Sequence, residues 1–175
     1  MLLLDKNYFD LLNLPRAFVV DERLLEKQYR ELVAAVHPDR FVTDSPEQRR
    51  LAMQAATLAN EAWRCLRDPC SRAAYLCRLE GVAVDAVARA GASPEFLTEQ
   101  MEWREALDEA RLAAHLADLE ALGKNVALAR DRAIGRLAEL IDTRADFEAA
   151  ARVVGQLMYI DRFSEQVEEA LDDLS

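Results

Sequence analysis

His37-Pro38-Asp39 follows directly on a run in which Leu25, Tyr29, Leu32, Val33 and Val36 recur at helical spacing. Residues three and four apart share one face of an α-helix, so these five side chains make a single apolar stripe. Proline has no N–H and disfavours helix in the residue before it, so the helix is predicted to end near His37. His37 and Asp39 then flank the proline on an exposed turn. Polar groups on a turn carried by a rigid scaffold are suited to contact or to chemistry.

Working outward, the spacing predicts helices over about 7–13, 21–37, 45–67 and 70–79. Asp21 is a candidate cap for the second helix, with Glu22 in its first turn. Ser45-Pro46-Glu47 opens the third, since proline fits the first helical turn. There Leu51, Ala55, Leu58, Ala59, Ala62 and Leu66 form a stripe that is expected to face helix two. The pair makes an antiparallel hairpin whose loop, 37–44, presents the tripeptide.

Gly81 to Ser93 is rich in Ala, Val and Gly and weakly periodic, and reads as a connector. Ser93-Pro94-Glu95 restarts helix, with Ser93 as a cap. Breaks are expected near Arg111–His115 and near Asp142–Asp146. The stripes Leu116, Leu119, Leu122, Val126 and Phe147, Val154, Leu157, Ile160, Val167, Leu171 predict a three-helix bundle. The expected organisation is all-α, with modules at 1–76 and 94–175 and a connector at 77–93.

Composition bounds the function. With 51% apolar and 31% charged residues and only 5 Gly and 5 Pro, the 175-residue chain reads as globular rather than low-complexity. No apolar run approaches the roughly 18 residues needed to span a bilayer. Met1-Leu2-Leu3-Leu4 meets Asp5 at once and lacks the basic start of a signal peptide, so a cytoplasmic protein is expected. Residues 1–93 carry 13 basic and 13 acidic side chains, whereas 94–175 carry 9 and 19, the whole net charge of −10. The second half therefore repels polyanions, and a nucleic-acid partner is disfavoured. Cys65, Cys70 and Cys77 include no Cys-x-x-Cys pair, and His37 and His115 lie far off in sequence. Reduced thiols are expected, with no metal site and no cofactor.

A His–carboxylate pair can serve acid–base chemistry. A hydrolase also needs a nucleophile or water site, an oxyanion pocket and a cleft. The chain has no Gly-rich phosphate loop, and helical hairpins rarely supply the rest, so no enzyme activity is expected. Arg23, Lys27 and Arg30 share one face of helix two, a solvated basic face or a docking face. Further on, Phe96, Gln100, Trp103 and Leu107 fall near one stripe, the expected core. Leu97, Met101, Glu105 and Glu109 fall on another, with Thr98 and Glu102 beside them. Such a mixed apolar and acidic surface suits partner docking or a second core contact.

Tyr8-Phe9-Asp10-Leu11-Leu12-Asn13-Leu14-Pro15, the His37-Pro38-Asp39 turn, Asn60-Glu61-Ala62-Trp63, Asp68-Pro69 and Arg72-Ala73-Ala74-Tyr75-Leu76 follow in an order that resembles the J-domain of the DnaJ co-chaperone family. The longer His37-Pro38-Asp39-Arg40-Phe41 resembles the HscB branch, the co-chaperones of iron–sulfur cluster assembly. Residues 96–105 resemble the HscB motif Phe-Leu-x-x-Gln-x-Glu-x-Arg-Glu. The glycine–phenylalanine region and cysteine-rich repeats of general DnaJ proteins are missing, against a generalist that binds unfolded clients.

This resemblance implies an L-shaped, two-module, all-α adaptor. It implies that Arg23, Lys27 and Arg30 steer the encounter with HscA, a DnaK-type ATPase chaperone, and that His37, Pro38 and Asp39 make the decisive contact. It further implies that Leu97, Thr98, Met101, Glu102, Glu105, Glu109 and Tyr159 bind IscU, the cluster scaffold. Two departures stand out. Val33-Ala34-Ala35-Val36 replaces an often basic run, and Thr98 stands where Met is common. A J-domain protein serving another client or chaperone is the alternative.

Overall fold

The computed structural model describes residues 6–37, 45–89 and 93–174, and every regular element among them is helical. The helices are α1 (Tyr8–Leu11), α2 (Glu22–Val36), α3 (Pro46–Arg67), α4 (Pro69–Leu79), α5 (Val84–Arg89), α6 (Pro94–Ala113), α7 (Leu116–Ala138) and α8 (Phe147–Asp173). The chain divides into two compact units, Met1–Tyr75 and Leu76–Ser175, with the boundary inside α4.

In the first unit the expected Asp21 cap forms, and Ser45 adds a cap that the sequence reading did not assign. Asp21 accepts from the Arg23 and Leu24 amides at the start of α2. Ser45 and Gln48 exchange hydrogen bonds as a capping box at the start of α3. Each such cap contributes about 1 kcal/mol. The two helices lie antiparallel. The Tyr29 ring stacks on Trp63 at 5.0 Å and its hydroxyl donates to Asn60 at 2.7 Å.

The facing stripe of α3 sits one residue away from its expected register at one end. Leu51 is exposed and Ala52 is buried in its place, while Leu58 is half-buried. Ala52, Ala55, Ala59 and Ala62 are all buried, so α3 meets its neighbours through small side chains and lets the backbones approach closely. α1 is shorter than its pattern suggested. Asn13 adopts a left-handed φ of 49°, which asparagine tolerates, and the Leu14 amide turns back to the Phe9 carbonyl.

Tyr75 ties this unit together. Its ring stacks on Tyr8 at 4.5 Å, and its hydroxyl accepts the Tyr8 amide at 2.9 Å. Arg72, only 8% exposed, lies over the Phe18 ring and donates to the Leu66 carbonyl. A buried guanidinium needs such partners to offset its desolvation.

The second unit is an up-down-up bundle of α6, α7 and α8, with α7 and α8 packed most extensively. Ala114 and His115 alone join α6 to α7. Ala114 takes a left-handed φ of 49°, so its amide and that of His115 return to the last carbonyls of α6. α7 ends in a π-helical turn over Glu139–Thr143 that buries Leu140 and Ile141. Both chain breaks thus fall where the spacing put them. The stretch 77–93, read as connector, contains the end of α4 and all of α5, and α5 packs on α8. Cys77 is buried there, its thiol directed at the Phe147 carbonyl at 3.6 Å. Leu116, assigned to the α7 stripe, is 40% exposed because it sits in the first turn, beyond the packed face.

Candidate functional site

Two exposed helix faces are candidates, one in each unit. On α2, Arg23, Lys27 and Arg30 all point to solvent, as their spacing predicts. Lys27 pairs with Glu31 at 3.9 Å and Arg30 with Glu26 at 2.5 Å, each one turn away on the same helix. The face is therefore less positive than its three cations suggest. Exposed pairs of this kind contribute under about 1 kcal/mol, so a partner's carboxylates can displace Glu26 and Glu31. Arg23 makes no ion pair among the described residues. α2 ends at Val36, and His37 caps it in extended conformation (φ −60°, ψ 128°), as a residue before proline should. His37 is exposed. Pro38 and Asp39, and with them most of the 37–44 loop, lie outside the described residues.

On α6, the helix starts at Ser93, whose hydroxyl accepts the Phe96 amide. The Glu95 carboxyl is held below its ordinary range by its own backbone amide and by the Ser93 hydroxyl, so it stays ionised where the helix dipole favours a negative charge. Phe96, Trp103, Leu107 and Ala110 are buried and anchor the helix. Gln100, assigned to that core stripe, is only half-buried. Phe96 meets Trp103 and Tyr159 edge-on at 6.4 and 5.9 Å, and Trp103 stacks on Phe163 at 5.6 Å.

The opposite face is open. Leu97 is 48% and Met101 63% exposed, one turn apart, with Thr98, Glu102, Glu105 and Glu109 exposed beside them. Glu102, Glu105 and Glu109 form no ion pair among the described residues. Thr98 returns its hydroxyl to the Pro94 carbonyl at 3.1 Å, so it offers the surface a methyl rather than a donor. Tyr159 is on α8, half-buried, and its ring is fixed by Phe96, by Phe163 and by Arg104, which donates to its hydroxyl at 3.1 Å. The structure thus places the six α6 residues on the solvent side of one helix, with Tyr159 beside its core edge.

Among the described residues no group of His, Cys, Asp and Glu could hold a metal ion, and no helix is long and apolar enough to cross a membrane. Burial, partly offset by a backbone hydrogen bond, raises the Cys77 thiol to about 11, so it stays protonated near neutrality. His115 meets Asp118 at 2.7 Å on the surface of the α7 start, a pairing local to one turn.

Comparison with known proteins accords with both units. Residues 7–75 match the model of the DnaJ domain, and residues 92–168 that of the HSCB C-terminal oligomerisation domain. The chain is 44% identical over 161 residues to the co-chaperone protein HscB homolog of Bordetella avium, covering 92% of this chain and 95% of that one. It is 42% identical to the homolog of Burkholderia multivorans, covering 99% of each. Among solved structures it resembles the chaperone HscB from Vibrio cholerae, with a TM-score of 0.84 and 35% identity over 97% of this chain and all of the other. Human co-chaperone HscB gives a TM-score of 0.87 at 27% identity, over 94% of this chain and 82% of that one. With a J-type unit, a second helical unit of the HSCB type and full-length relatives of both, the chain belongs to the HscB family of co-chaperones.

Proposed function

We propose that the protein is a non-enzymatic adaptor in iron–sulfur cluster assembly. Its second unit holds an IscU-type scaffold on the Leu97, Thr98, Met101, Glu102, Glu105, Glu109 and Tyr159 face. Its first unit brings that complex to an HscA-type, DnaK-like chaperone and stimulates the chaperone's ATP hydrolysis through His37, Pro38 and Asp39, with Arg23, Lys27 and Arg30 steering the approach. No residue of this chain acts on ATP. The adaptor favours one conformation of another enzyme. Joining two binding events on one body raises the effective concentration of the second.

The observation that carries this reading is the exposure of Leu97 and Met101 amid unpaired carboxylates, on a helix that buries its other face fully. Leu97 and Met101 stand one turn apart among carboxylates, and a face of this kind suits a partner with both apolar and basic groups. The test is ATP turnover by purified HscA with IscU, with and without this protein and its His37→Gln variant. Stimulation by the wild type and its loss in the variant are expected. Equal stimulation by both removes the tripeptide from the mechanism.

A further inference from the structure

The geometry points to a carboxylate-binding pocket between α6 and α8, which receives an Asp or Glu side chain of the partner that covers Leu97 and Met101. This inference rests on the scaffold-binding reading above and deepens it. The pocket, about 450 Å3, is lined by Arg104, Asp108, Arg111, Tyr159, Arg162 and Gln166 over a floor of Leu107 and Phe163. Three guanidinium groups and a single carboxylate therefore meet in a region of chain that is strongly acidic overall. Local charge of this sign is a recognition feature rather than a by-product of composition.

Arg104 and Arg111 are held in place yet not used up. Arg104 donates through Nε to the Tyr159 hydroxyl at 3.1 Å and lies over its ring, which leaves its terminal nitrogens for a ligand. Arg111 donates one terminal nitrogen to the Gln166 carbonyl at 3.2 Å. Arg162 is exposed and makes no ion pair among the described residues, and neither does Asp108. A guanidinium presents a planar fork of donors that matches a carboxylate in bidentate fashion, and oriented guanidinium groups lose little freedom on binding.

The position identifies the source of the carboxylate. Leu97, Met101, Arg104, Asp108 and Arg111 succeed one another at spacings of four, three, four and three, so they form one continuous line along α6. That line runs about 21 Å at 1.5 Å per residue. Tyr159 belongs to both halves, since it lines the pocket and meets Phe96 beside Leu97. A partner seated on the apolar half has its next contacts over the arginines. It meets anions at Glu102, Glu105 and Glu109 on one side and cations here, and this fixes its orientation as well as its place.

The experiment is calorimetric titration of the full-length protein with IscU. Arg162→Glu is expected to weaken binding at least tenfold, and Arg162→Gln by several fold. Arg152→Glu makes the same charge change at an exposed α8 position away from the pocket and is expected to stay within twofold of wild type. Wild-type affinity in Arg162→Glu overturns the pocket, and so does an equal loss in Arg152→Glu, which would mark a diffuse charge effect. The Leu97→Ala, Met101→Ala double variant separates the two readings. If it loses binding while Arg162→Glu does not, the pocket falls and the scaffold reading stands; if both bind as wild type, the scaffold reading itself falls.

Discussion

α2 and α6 are both amphipathic helices with one face in a core and one in water, and they treat their exposed charges in opposite ways. On α2 the cations alternate with carboxylates one turn away, so Lys27 and Arg30 are already answered within the helix. On α6 the exposed carboxylates Glu102, Glu105 and Glu109 stand beside Leu97 and Met101 without ion pairs among the described residues. A self-neutralised face offers a partner little net charge, and under the function proposed above the discriminating contact then falls to His37, Pro38 and Asp39. An unanswered face with apolar centres is suited to hold a partner by itself. The contrast fits a molecule that keeps one partner while touching another briefly.

The largest effects test the division within α6. Trp103→Ala removes a buried ring that touches Phe96 and Phe163 and is expected to cost about 3–5 kcal/mol of stability. Leu97→Ala with Met101→Ala should leave the thermal midpoint nearly unchanged and cost about 2–4 kcal/mol of scaffold binding. Thermal melts and calorimetry on the two variants decide it. A double variant that melts early would turn the exposed face into core.

A smaller effect tests α2. Glu26→Gln with Glu31→Gln frees Arg30 and Lys27 and is expected to raise the association rate with the chaperone a few fold at low salt, an advantage that fades as salt rises. An unchanged rate at all ionic strengths would mean that the cations do not steer.

The smallest effect concerns Cys77. A thiol whose folded pKa is raised above 9.0 adds stability that is fully present below 9.0 and lost as pH rises through about 11. Native alkylation at pH 8 followed by mass spectrometry should therefore label the half-buried Cys65 and Cys70 well before Cys77. Equal labelling would show that α5 and the α8 start open readily.

The main helices were legible in sequence because each announces both ends. Asp21 and Ser93 cap, Pro46 and Pro94 open, and the apolar stripes repeat at helical spacing. The register of α3 was harder to read, since alanine carries little hydrophobic signal and Leu51 carries much, yet Ala52 is the residue that fits the close contact. α5 was missed because six residues of Val, Ala, Asp and Arg show too little period to stand out from a connector. The α6 face was legible as a line of residues, and its exposure follows from the core stripe opposite. The neutralising glutamates of α2 lie one turn from their cations, and spacing alone does not fix whether such exposed side chains pair. The arginine pocket was not legible at all, because it forms only when Arg162, 51 positions beyond Arg111, is folded back beside α6.

The hydrogen bond from the Tyr8 amide to the Tyr75 hydroxyl spans 67 positions of chain. As the ribosome delivers the polypeptide from its N-terminus, α1 emerges first and remains without its aromatic cover until Arg72 and Tyr75 have followed. α2 and α3 can pair in the meantime through Tyr29, Asn60 and Trp63, all of which precede Arg72 and Tyr75 in the chain. The first unit therefore closes last at its own beginning, and a nascent chain halted short of Tyr75 would expose Phe9 and Phe18 to whatever chaperones wait at the tunnel exit.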